Sequence, residues 1–212
     1  MDRSRLEAFS DGVFAVAITL LAFNIAVRGP GHGTLAYQLG HLWPAFLAYL
    51  VSFSMIGIIW VNHHALVRTI DAVDRTLLFL NLVLLLFVVL IPFATTTVAQ
   101  YRLAGTWDAQ VSVAVYAGVF LGMSIGFGSV FEWTLHGERT HVTLAPERHW
   151  RARIRFVGGA LVYLAAIGVA LLNAVAGFSL IAAVAVYYIA ERTPAPGSTG
   201  PPGENVTPAN EE

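Results

Sequence analysis

The sequence predicts an all-α integral membrane protein with six transmembrane helices, and three observations carry that prediction. Of 212 residues, 57% are hydrophobic and only 12% are charged, where a soluble domain carries about 25% charged residues. The apolar residues fall into six runs, most close to the ~20 residues that a helix needs to cross hydrocarbon. The arginines collect in alternate connections between those runs. Mean hydropathy is +0.68. This composition excludes a disordered chain, and a net charge of −1 argues against a nucleic-acid partner. With no cysteine there is no disulfide, thiolate metal site or cysteine nucleophile. The run from Phe9 is too long for the apolar core of a signal peptide and lacks a cleavage pattern.

The first span is expected from Leu6 to Val27, and Gly29-Pro30-Gly31-His32-Gly33 reads as a flexible connector. The second starts near Pro44, a good first-turn residue, runs to Val61 and continues as a polar stretch to Arg68. The third runs from Leu77 to Ala99, with Pro92 as a kink or break. The fourth covers Val111 to Trp133. There Gly118, Gly122 and Gly126 form a small-residue ridge for close helix contact. A polar segment from Glu138 to Arg153 lies outside the bilayer. The fifth span runs from Ile154 to Leu172 and the short sixth from Val175 to Ala190, joined by a tight turn around Asn173 to Gly177. Residues 1–192 form one membrane domain. Beyond Arg192 the chain turns to Pro, Gly, Ser, Thr and Glu, so 193–212 reads as a disordered tail.

Orientation follows from arginine, since all 12 basic residues are Arg. With the N-terminus inside, Arg3, Arg5, Arg68, Arg75, Arg139, Arg148, Arg151, Arg153, Arg155 and Arg192 are cytoplasmic, leaving only Arg28 and Arg102 outside. The positive-inside rule therefore puts both termini in the cytoplasm of a multi-pass cell-membrane protein. Trp43, Trp107, Trp133 and Trp150, with Glu132, fit the two interfaces. The Arg148 to Arg155 cluster sets topology and offers charge to anionic lipid.

The first span is the most informative. Asp11 lies in its opening turns, where an ionisable residue is costly and marks a functional site by default. Alternatively it is an interfacial carboxylate stabilised by the helix dipole. At 100° per residue Val16, Leu20 and Phe23 share one stripe, with Thr19 at its border. Such a stripe also arises from lipid contact or ordinary packing. Asp11 projects away from it, into the protein. On the second span, Trp60-Val61-Asn62-His63-His64 raises the question of a metal. Adjacent residues point about 100° apart on a helix, so His63 and His64 do not share one ion, and no carboxylate stands nearby in sequence. No metal site is expected. A hydrogen bond from one histidine to Asp11 or Arg5 is expected instead, with Asn81 at similar depth able to join. No Walker loop, GxSxG or strand-borne GxGxxG is present, so the chain does not read as an enzyme.

Arg5-x-x-x-Phe9-Ser10-Asp11, followed by Gly12 to Leu21, resembles the signature of the transmembrane protein 175 family of potassium channels in its compact prokaryotic form. Trp60-x-x-His63, Asn81 and Pro92-Phe93 extend the resemblance, which spans nearly the whole chain before the tail. The resemblance implies a homotetramer whose first helices line a central pore without a TVGYG filter. It implies a constriction at Val16, Leu20 and Phe23 and a polar contribution to cation preference from Thr19. It implies that Arg5, Ser10, Asp11, Trp60, His63 and Asn81 form a structural hydrogen-bond network and not an ion-coordinating ring. Val16 is smaller and Phe23 larger than the family pattern at those positions. The expected function is passive, potassium-preferring cation conduction, with potassium ions, membrane lipid and sister subunits as partners and no cofactor. The alternative is a proton-coupled transporter using Asp11 and His63; a membrane enzyme or metal protein built on His63 and His64 is a third class.

Overall fold

The computed structural model describes residues 2–101, 106–135 and 146–190. All regular structure there is helical: α1 (Arg3–Leu21), α2 (Leu35–His41), α3 (Trp43–Val67), α4 (Arg75–Tyr101), α5 (Thr106–Leu135), α6 (Pro146–Leu172) and α7 (Ala174–Ala190). Arg102, Arg139, Arg192 and the expected tail 193–212 lie outside the described residues, as do the side chains of Asn24, Arg148, Arg151 and Arg155. By length and composition, α3, α4 and the Trp107–Leu135 part of α5 suffice to cross a membrane, while Phe156–Leu172 and Ala174–Ala190 are shorter apolar helices. Helix α1 carries Arg3, Arg5, Glu7 and Asp11 in its first half, which dilutes its hydropathy.

Helix α5 sits at the centre and packs against α4, α6 and α7, while α1 packs chiefly on α3, α4 and the turn that follows it. The core runs along the α4–α5 seam through Leu84, Val88, Ile91, Tyr116, Phe120 and Met123, all essentially excluded from solvent. The glycine ridge acts here: a Cβ at Gly126 would lie 3.0 Å from the Leu84 Cα. Small residues let helix backbones approach, the main source of packing energy where lipid is as apolar as the protein.

Three element boundaries differ from the sequence reading. Helix α1 stops at Leu21, not Val27; Ala22–Asn24 form a 3-10 turn and Ile25 leaves helical geometry at φ −103°, ψ 82°. The segment beyond holds Ile25 and Val27, β-branched and poor in helices, and then the glycines. The connector is also held, because the short helix α2 returns Gln38 to it. Gln38 Oε1 accepts from the Arg28 N–H at 2.9 Å, and its Nε2 donates to the Gly29 and Gly33 carbonyls at 2.9 and 3.2 Å. Gly29, Gly31 and Gly33 take φ of +84°, +94° and +90°, the left-handed region open to glycine.

Second, Pro92 does not break α4, which continues to Tyr101. An interior proline costs a helix about 3 kcal/mol, and burial of Ile91, Pro92, Ala94 and Thr95 offsets it here. Thr95 and Thr96 hydroxyls donate to the Ile91 and Pro92 carbonyls at 2.7 and 2.8 Å, securing the turn after the proline. Third, α6 begins at Pro146, so the described part of the expected polar connection is helix. Proline at the first helical position is pre-organised for this start. The tight turn near Asn173 is a one-residue joint. The Asn173 side chain accepts from the Ala176 N–H at 3.0 Å and so caps α7.

Candidate functional site

Helix α1 divides cleanly into two faces. Leu6, Ser10, Phe14, Ala17 and Leu21 are buried against α3 and α4. The opposite face is open: Val16 is 55% exposed, Leu20 40% and Phe23 80%. Thr19 is exposed on the same side, and its hydroxyl donates to the Val16 carbonyl at 2.9 Å. That bond uses its one proton, so Thr19 presents oxygen lone pairs to whatever faces it. Arg5, near the start of α1, is exposed as well.

Polar side chains line the buried side near the start of α1. Asn81 of α4 is 2% exposed. Its amide donates to Ser10 Oγ at 3.1 Å, and its Oδ1 meets His63 Nε2 at 2.7 Å. Since Oδ1 only accepts, Nε2 of His63 carries a proton and donates it to Asn81. Ser10 passes its own proton to the Leu6 carbonyl at 2.9 Å. The His63 ring packs 5.4 Å from Phe14. One turn before His64, Trp60 Nε1 donates to Asp11 Oδ1 at 2.8 Å.

The structure thus brings Ser10, His63 and Asn81 into one chain of hydrogen bonds, with Asp11 and Trp60 paired beside it. The expected histidine bond to Asp11 or Arg5 is not made. Asp11 takes the Trp60 indole, and the exposed Arg5 side chain makes no hydrogen bond or ion pair among the described residues. Arg3 does the tying instead, donating to the Arg68 and Ile70 carbonyls at 3.1 and 3.4 Å. The relay imagined between Asp11 and His63 finds each engaged with a different partner.

Sequence reasoning missed two groupings. His64 Nδ1 stands 3.0 Å from Glu7 Oε1 across the α1–α3 seam, a pair distant in sequence. Deeper in the bundle, Ser52 Oγ lies 2.7 Å from both Thr95 Oγ1 and Tyr116 Oη. Thr95 donates to the Ile91 carbonyl, so the protons run Tyr116 to Ser52 to Thr95 and every hydroxyl is satisfied. Towards the other helices, Trp133 is not simply an interfacial ring. Its Nε1 donates to both Asp74 oxygens at 3.0 and 3.1 Å, while Asp74 Oδ1 also accepts from the Leu77 N–H that opens α4. Glu132 accepts two hydrogen bonds from Arg153, both at 2.6 Å.

Residues 5–92, which contain the open stripe of α1 and the Ser10–His63–Asn81 chain, match the family model described as endosomal/lysosomal potassium channel TMEM175. A potassium channel of Streptomyces collinus is 40% identical over 200 residues, covering 92% of this chain and 95% of that protein. The chain belongs to the TMEM175 family. A solved structure, described as a lysosomal potassium-selective channel TMEM175 homolog from Chamaesiphon minutus, superposes with a TM-score of 0.77 at 32% identity. It covers 88% of this chain and 96% of its own. The mouse relative, named an endosomal/lysosomal proton channel TMEM175, is 37% identical over 147 residues, 64% of this chain and 28% of that protein. TMEM175 proteins are channels and not enzymes, and membership makes this chain a multi-pass membrane protein of cation-channel type.

Proposed function

We propose that the chain is a passive, potassium-preferring channel of six spans per subunit, with four copies arranged so that α1 of each lines a central pore. Residues 1–192 form the channel domain, 193–212 a cytoplasmic tail, and both termini lie in the cytoplasm of the cell. The observation that carries the reading is the open apolar stripe that runs along α1 into the 3-10 turn after it, with Val16 55%, Leu20 40% and Phe23 80% exposed while the opposite face of α1 is packed. Four such stripes facing one axis make stacked apolar rings. An apolar ring holds back water and raises the cost of passage for an ion that clings to its hydration shell. Potassium sheds water more readily than sodium, so a narrow ring favours it. The Thr19 lone pairs stand between the Val16 and Leu20 levels and replace part of the lost water. Ser10, Asp11, Trp60, His63 and Asn81 hold α1 against α3 and α4 and do not touch the ion.

Flux into proteoliposomes tests this. Vesicles loaded with potassium, with a protonophore and a pH dye, report potassium efflux as proton uptake. Purified protein is expected to quench the dye beyond empty vesicles, and more for a potassium gradient than a sodium one. Val16→Asn and Phe23→Asn are expected to raise flux and to narrow the potassium–sodium difference, since each puts polar groups into the apolar ring. If both leave flux and preference unchanged, these residues do not line the pore. No flux from folded wild type and variants alike overturns the channel reading. Mammalian relatives are named proton channels, so the same vesicles without protonophore give the proton permeability directly.

A further inference from the structure

We propose that Glu7, Asp11 and His64 form a binding site for one divalent transition-metal ion, bridging the N-terminal half of α1 to the C-terminal half of α3. One candidate ligand atom from each lies within 4.8 Å of the others, and all three residues are half-buried. Glu7 and Asp11 are four apart on α1, so they share one face. His64 comes from the facing helix.

The closeness of three such groups would not suffice alone. A second observation is the state of the imidazoles. Nδ1 of His64 is shut off from solvent and makes no hydrogen bond, although Glu7 Oε1 is 3.0 Å away. The neighbouring His63, 1% exposed, also encloses an Nδ1 without a partner. At the seam two carboxylates thus face an imidazole whose enclosed Nδ1 makes no hydrogen bond to them. An acceptor-rich pocket of this kind is matched by a cation.

The geometry fits a small, borderline-soft ion. Ligand atoms at 2.0–2.2 Å from one metal lie about 3.0–3.5 Å from each other. The His64–Glu7 separation of 3.0 Å is already there, and carboxylate rotation closes the remainder. The Trp60 indole holds Asp11 Oδ1 at 2.8 Å and leaves Oδ2 to turn toward an ion, as outer hydrogen bonds commonly orient metal-binding carboxylates. The Trp60 ring also packs 5.9 Å from the His64 ring and limits its rotation. One imidazole and two carboxylates suit zinc, manganese, cobalt or nickel, with water completing the shell. Calcium instead takes six to eight oxygens.

Calorimetric titration of the chelator-stripped, detergent-purified protein with zinc chloride alone tests the site without any measurement of flux, so its failure is separable from failure of the channel reading. One zinc per protomer is expected. Glu7→Gln and His64→Ala are each expected to weaken binding roughly tenfold or more, as even outer-sphere losses cost 10–100-fold. His32→Ala and His41→Ala, on the exposed connector and α2, are expected to leave it unchanged. Glu7→Gln keeps size and helix propensity, so it remains informative if His64→Ala fails to fold. Cobalt, added in place of zinc, is expected to give a visible absorption band that Glu7→Gln diminishes. No saturable zinc binding, or binding that survives both ligand substitutions, overturns the site and leaves His64 and Glu7 as an ordinary ion pair.

Discussion

Asn81 decides more at the residue scale than its size implies. It both donates to α1, through Ser10, and accepts from α3, through His63. Asn81→Leu would fill similar volume but leave the buried His63 Nε2 proton and the Ser10 oxygen unmatched. A buried polar group left unsatisfied costs about 1–3 kcal/mol, so the variant is expected to lower the unfolding midpoint in detergent clearly. An unchanged midpoint would mean that the seam contributes nothing to holding α1. The exposed stripe of α1 was legible in the sequence because 100° per residue fixes which side chains share a face. The partners of Asp11 were not. Helical spacing says that Asp11 points inward, but whether it meets a histidine, an arginine or the Trp60 indole depends on the depth at which α3 crosses. The pairing of Glu7 with His64 was hidden for the same reason: no carboxylate is near His64 along the chain, and the carboxylates arrive from another helix.

Element ends proved less readable than element centres. Apolar length located the long helices, yet Val27 and Ile154 were poor guides to the ends of α1 and the start of α6. A bilayer-derived run measures hydrophobicity, whereas a helix ends where propensity and capping change, and polar helix continues past the apolar part as α6 does from Pro146. The α6–α7 joint is the clearest case of local chemistry setting an element. Asn173 caps α7, and Gly177 then passes α6 so closely that an added Cβ would stand 2.6 Å from the Ala170 Cβ and 2.7 Å from its Cα. Backbone on one side and a methyl on the other leave no flexible atom to yield. Gly177→Ala is therefore expected to push the helices apart at about 1–3 kcal/mol, the usual penalty of overpacking, read as a lower unfolding midpoint. A variant as stable as wild type would show that α7 shifts freely against α6.

On the scale of the whole molecule, the bundle is lopsided. Helix α5 holds the centre, while α1 is supported on one side only, by α3 and α4. A helix with an apolar open face at the margin of the bundle is what the proposed pore, shared among copies, requires, and its orientation in the membrane is expected to follow charge. The connection between α3 and α4 lies between Arg68 and Arg75, while the connection between α1 and α2 holds only Arg28. Retention of Lys and Arg in the cytoplasm then places the first of these connections inside and the second outside. The absence of native cysteine makes the test clean, since a single introduced thiol is the only one to react. His32→Cys, at an exposed position beyond α1, is expected to label in intact cells with a membrane-impermeant maleimide. Ala72→Cys, exposed between α3 and α4, is expected to label only after permeabilisation. The reverse pattern would invert the molecule and place the start of α1, with Glu7, Asp11 and His64, at the outer mouth. Labelling of both from outside would remove α3 from the list of spans, and with it the even number of crossings on which two cytoplasmic termini depend.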